Sequence, residues 1–231
     1  MAVTFDAVGP SSAGAASASS ATLSWSHTVG INGAALIVAV AINESNDAGD
    51  SITGVVLDPA GSNIPLTSLG PALHSGGITA GLIHLWGLAN APAGTYTITA
   101  TASAAMFGLE GGSVSYGGAH LTDPFSALQT AVGSADTTPG ITFTGSTAGN
   151  LVYGGLANGD AVTSLLQGDS RWIRNVNTGS AAGNAAAADT PGGGSVTLEW
   201  SVASDTYGIA AIEVLAAAAP PSILVQLIHQ I

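Results

Sequence analysis

Residues 34–42 read AALIVAVAI, nine apolar residues in a row bounded by Gly33 and Asn43. A membrane-spanning helix needs about 20 such residues, so this run cannot cross a bilayer as a helix. Its valines and isoleucines favour an extended backbone. An extended segment that is apolar on both faces must be covered from both sides. The fold therefore has to place a layer above and below this strand.

Most of the other segments also read as strands. In TLSWSHTV, Leu23, Trp25 and His27 alternate with Thr22, Ser24 and Ser26, as in a sheet with one buried face. SITGVVLD is closed by Asp58-Pro59, and GLIHLWGLA is joined to GTYTITATA by the turn-like NAPAG. GGSVSYGGA, GITFTG, GNLVYGGLA, SRWIRNV, SVTLEWSV and YGIAAIEVL follow, with Gly, Pro, Asn and Asp clusters between them. No segment carries a sustained helical period with caps. SAAGNAAAAD, followed by TPGGGS, reads as a loop. TLSWS and TLEWS echo each other, and read as two strands that each put a tryptophan into the core rather than as a repeat. The expectation is an all-β chain: a single antiparallel β-sandwich, jelly-roll-like, over residues 1–215, an Ala/Pro linker over 216–221, and an extended apolar C-terminal arm over 222–231.

Charge narrows the function. Only 7% of residues are charged, the net charge is -12, there is no lysine, and the arginines are Arg171 and Arg174. An average domain is about 25% charged. Nucleic acid and anionic membranes are excluded as partners, because both are bound through many cations. The absence of cysteine removes thiol chemistry and thiolate metal sites. The N-terminus MAVTFDAVGP has neither the basic nor the apolar region of a signal peptide, so synthesis in the cytoplasm is expected.

No catalytic constellation stands out, and the chain is expected to be neither an enzyme nor a cofactor carrier. His27, His74, His84, His120 and His229 share no metal-binding spacing. His84 reads as a histidine satisfied within a sheet face. GGSVSYGG fails the G-x-S-x-G pattern, because Ser113 stands two places before Ser115. Glu44, Asp47 and Asp50 share one loop, where a hard cation competes with the plainer reading of a solvated turn. No metal site is expected. Thr95, Thr97, Thr99 and Thr101 share one face of a strand. Such a ladder suits ice or polysaccharide if it extends, but it does not recur in the sequence, so it reads as a solvated face.

Two segments are candidates for contact. SRWIRNV sets Arg171 and Arg174 around Trp172, a grouping that stacks on a sugar or on a partner protein when exposed. The alternative is a strand edge with ordinary pairs. The end of the chain, AAAAPPSILVQLIHQI, has an apolar arm behind Pro220-Pro221: Ile223, Leu224, Val225, Leu227, Ile228 and Ile231. Burying each of these is worth roughly 1.5–3 kcal/mol before ordering costs. Either the arm returns to its own sandwich as a last strand, or it docks on another subunit.

GAALIVAVAI, LIHLWGLANAPAGTYTITATAS, GGSVSYGGAHLTDPFSALQTAVGS, GNLVYGGLANGD, TGSAAGNAAAADT and YGIAAIEVL, chiefly through AGTYTIT and TDPF, resemble a β-sandwich module of actinobacterial exported proteins and of virion proteins of their phages. The likeness covers most of residues 2–215. It implies a jelly-roll-like structural or binding module on a cell or particle surface and carries no catalytic residues. Joined to the arm, it sets the expectation of a virion structural protein: a homo-oligomeric head decoration protein that meets a major capsid or tail protein through the arm. A minor tail protein and a module binding host glycans through Trp172 are the alternatives.

Overall fold

The computed structural model describes residues 1–43, 50–58, 60–75, 77, 81–176 and 183–218. The arm and most of the Glu44 loop lie outside them. Among the described residues all regular structure is antiparallel β, in sixteen strands. The expected jelly-roll-like sandwich is present, and the topology shows it twice.

The first roll uses β1 (Thr4–Gly9), β2 (Ala15–Val29), β3 (Ala34–Asn43), β4 (Ile52–Leu57), β5 (Ile64–Pro65), β6 (Thr67–Leu73), β7 (Gly81–Ala91) and β8 (Gly94–Gly117). β8 serves both of its layers. Residues 94–102 lie between β2 and β4 in an outer layer that ends at β5. Residues 108–117 pair with β3 on one side and with β1 and the start of β2 on the other, in an inner layer that continues through β7 to β6. The second roll uses β9 (Gln129–Asp136), β10 (Gly140–Ser146), β11 (Leu151–Asn158), β12 (Val162–Gln167), β13 (Asp169–Val176), β14 (Gly183–Pro191), β15 (Gly194–Val202) and β16 (Asp205–Val214). Its inner layer runs β9-β16-β11-β14-β13 and its outer layer β10-β15-β12. Apart from β5, which has no counterpart, this is the first roll again strand for strand, with β15 and β16 taking the two parts of β8.

The two inner layers pack face to face, giving four layers and three cores. Ile37, Ile83, Leu85 and Val114 meet Tyr153, Trp172, Ala187 and Ile212 in the central core. Leu36, Val38, Val40, Trp25 and Ile98 fill the first roll, and Val152, Ile209, Phe143, Leu198 and Trp200 the second. The central inner strands β3, β7, β11, β14 and β16 are therefore covered twice, which is why residues 34–42 are apolar without alternation. It also explains β14. Gly183–Pro191 is a strand, not the loop expected from its alanines and following glycines. Ala186 and Ala188 face one core while Ala185 and Ala187 face another. Alanine is a weak strand former, but close-packed layers on both sides leave no room for more.

The match between the rolls extends to residues. In the first, Thr67 pairs with Gly87, Ser68 with Trp86, a bulge falls at Leu69, and Gly70 pairs with Leu85. In the second, Asp169 pairs with Asp189, Ser170 with Ala188, a bulge falls at Arg171, and Trp172 pairs with Ala187. Leu69 thus corresponds to Arg171, and Gly87 to Asp189. Following the ladders across, Gly87–Ile37–Val114 corresponds to Asp189–Tyr153–Ile212. Two residues further on, Tyr116 corresponds to Val214, and their partners Phe5 and Phe125 correspond to each other. TLSWS and TLEWS, by contrast, lie on β2 and β15, which are not counterparts.

Candidate functional site

Arg171, Trp172 and Arg174 all lie on β13, at the seam between the rolls. Trp172 is 0% exposed. Its indole occupies the space above Gly112, where a Cβ would stand 2.6 Å from Nε1, and lies against Gly14. Of the two readings of this segment, surface contact is overturned for Trp172, whose ring is part of the central core, and the strand edge with ordinary pairs holds: β13 is an edge strand and Arg171 is paired. Arg171 donates to Asp189 from Nε and from Nη2, the second bond at 2.6 Å to Oδ1. Its guanidinium lies 4.0 Å from the centre of the Phe5 ring. Tyr116 also donates to Asp189, at 2.6 Å. Burial raises the Asp189 carboxyl above its ordinary value, against the pull of the Arg171 and Tyr116 bonds. Burial also pushes the Tyr116 hydroxyl well up. Arg174 faces Glu110 of the first roll. Glu110 is 1% exposed, and neither its Oε2 nor the Arg174 Nε has a hydrogen-bond partner. Burial lifts Glu110 to about 8, with Arg174 opposing.

A Ser-His-Asp chain that the sequence reading did not assemble lies inside the first roll. Ser113 Oγ is 2.9 Å from His27 Nδ1, His27 Nε2 is 3.1 Å from Ser115 Oγ, and Ser115 donates to Asp6 at 2.7 Å. Trp25 Nε1 donates to Ser113. The serines are 0% and His27 1% exposed, and a Cβ on Gly9 would collide with the ring, so no substrate has access. Burial lowers His27 to about 4, with Asp6 opposing. The chain is internal bonding for a buried imidazole. Only the alternation of His27 with Trp25 hinted at it. His84 is satisfied by Ser68 at 2.7 Å, as expected of a sheet histidine, and burial lowers it to about 4.

The threonine face of β8 is solvated, as the sequence suggests, and a second row of hydroxyls stands beside it. Thr22, Ser24, Ser26 and Thr28 on β2 stand directly opposite Thr101, Thr99, Thr97 and Thr95. Ser24–Thr99 and Thr28–Thr95 are bonded at 2.8 and 2.9 Å. The outer face of the first roll is a two-strand hydroxyl lattice.

The expected arm residues, Ile223, Leu224, Val225, Leu227, Ile228 and Ile231, and the loop residues Glu44 and Asp47 lie outside the described residues. Asp50 accepts from Ser103 at 3.2 Å. Among the described residues no group of three or more His, Asp or Glu side chains is placed to hold a metal. Of the expected linker, Ala216 and Ala217 are tied to the body. Ala217 donates to Gly118 O and accepts from the Met1 ammonium, and Ala216 donates to Asn150 Oδ1.

An open hollow of about 220 Å³ lies between β6, β7 and the connection joining the rolls. Thr67, Leu69, Gly87 and Ala89 form one wall, Asp123 and Phe125 the other. Backbone bonds pin the connection: Leu215 N to Pro124 O and Ser126 N to Glu213 O. No signal in the sequence placed TDPF opposite β6 and β7. No family model, curated protein or solved structure matches the chain.

Proposed function

We propose that this chain is a structural protein of a phage virion, a head decoration protein that holds to a major capsid lattice through its C-terminal arm and homotypic contacts. A minor tail protein is the neighbouring reading. The likeness of its strand-and-turn phrases to virion sandwich modules supports it, as does a charge-poor surface without lysine. The observation that carries it is the clamping of Ala216 and Ala217 between Gly118, Met1 and Asn150 at the seam of the rolls. Whatever follows leaves from a fixed point on a rigid body, the arrangement an attachment arm needs. The glycan-binding alternative loses the exposed aromatic it relied on, because Trp172 is buried.

The test is removal of residues 222–231. The shortened chain keeps its thermal midpoint but no longer joins particles when both forms compete during assembly. Equal incorporation of the two forms overturns the arm reading.

A further inference from the structure

The residue-level match between the rolls gives the hollow a counterpart. Opposite it in the molecule stands the group formed by Phe5, Arg171 and Asp189, with the guanidinium on the Phe5 ring and in a two-bond pair with Asp189. On the side of the hollow the corresponding residues are Phe125, Leu69 and Gly87. The aromatic ring is kept. The arginine and its carboxylate are gone; the Phe125 ring lies on Gly87, where a Cβ would collide with it, and a space of about 220 Å³ remains beside the ring. Asp123, two residues before Phe125, supplies a carboxylate at the wall of that space, and its carboxylate makes no hydrogen bond to the described residues.

We propose that this hollow is a receptor for a guanidinium group: the side chain of an arginine on a partner protein lies against Phe125 and pairs with Asp123. The volume is below the roughly 300–1,000 Å³ of drug-sized sites, which suits one planar side-chain head rather than a larger ligand. A planar cation stacks on an aromatic face and meets a carboxylate through two parallel bonds, which an ammonium cannot do. The net charge of -12 draws cations toward the molecule. The partner is a different protein, not a second copy. The chain has two cationic side chains of the Lys and Arg type, and both sit in β13 at the seam. Arg171 is bound to Asp189, and Arg174 has its Nε buried. Neither is a free, fully exposed cation of the kind the hollow would take. This inference does not rest on the arm, since removing residues 222–231 leaves the hollow intact.

The test uses three blocked amino acids as probes on the full chain: N-acetyl-arginine methylamide, its lysine analogue and its citrulline analogue, followed by amide NMR shifts at low salt. The arginine probe is expected to give saturable shifts centred on Thr67, Ala89 and Phe125, fading as salt is raised. Citrulline, equal in shape but uncharged, gives none, and lysine binds more weakly. Asp123→Asn weakens arginine binding by about fivefold, the loss of one partly exposed ion pair. Leu69→Arg, which supplies the guanidinium from within as Arg171 does, abolishes it. Should Leu69→Arg not fold, Asp123→Asn decides alone, because that carboxylate holds nothing in the fold. Citrulline or lysine binding as well as arginine, no saturation, or no effect of Asp123→Asn overturns the proposal.

Discussion

Three buried titrating side chains set how stability follows pH. His27 and His84 are held near 4 by burial, against 6.5 when free. Their folded pKa values are depressed, so the stability they contribute is present above pH 6.5 and is lost as pH falls toward 4. Glu110 is raised from 4.5 to about 8 by burial. Its contribution is present below pH 4.5 and declines as pH rises through 8. Stability is therefore expected to peak near neutrality, with the histidines limiting the acid side and Glu110 the alkaline side. Urea midpoints across pH check this. Glu110→Gln should remove a decline of about 2 kcal/mol between pH 6.5 and 8. The Arg171–Asp189 pair gives a second residue-scale test. Arg171→Leu strands a carboxylate with 0% exposure and should cost roughly 3–5 kcal/mol. Adding Asp189→Asn, which removes the charge but leaves an amide oxygen to accept from Tyr116, should recover most of that loss in urea denaturation.

Among the elements, β8 and β13 carry the most specific packing. Gly112 on β8 exists for the Trp172 ring on β13, because any Cβ there must push the indole aside. Gly112→Ala is expected to cost about 1–3 kcal/mol through overpacking. Gly54 on β4 has nothing within 4 Å of a built Cβ, so Gly54→Ala should be neutral or stabilise by about 0.4–1 kcal/mol. The paired melting temperatures separate a packing glycine from an incidental one. These elements were unequally legible. Residues 34–42 read correctly as a doubly covered strand, because long apolar β-branched runs have few other uses. The four alanines of β14 read as loop, because local propensity says nothing about how closely two other layers approach. Trp172 read either as a surface aromatic or as part of a strand edge with ordinary pairs, because two arginines flank it. Their partners, Asp189 and Glu110, are far away in sequence, so the flanking charges could not be recognised as internal.

As a whole molecule the chain is two rolls sharing one core. Ile37, Leu85 and Tyr116 on one side and Tyr153, Ala187 and Ile212 on the other would face water if the rolls were parted. Residues 1–118 and 119–218 expressed separately should each be insoluble or aggregated, and co-expressed they should assemble into a one-to-one complex on gel filtration. Two independently folded, soluble halves would show that the central core is dispensable.

What the sequence determined by itself was the class of structure: extended strands, short turns, a charge-poor surface without thiols, and an apolar end. Those follow from local chemistry, from side-chain period, turn residues and composition, which any window of the chain displays. Only the tertiary structure decided that the sandwich is doubled, that Trp172 is core, that Ser113, His27 and Asp6 form one chain, and that Phe125 with a hollow beside it replaces an ion pair of the other half. Each of these depends on which strands become neighbours. The two rolls match in pairing and register while Arg171 faces Leu69 and Asp189 faces Gly87 across the comparison, so residue identity conceals a likeness that backbone hydrogen bonding preserves.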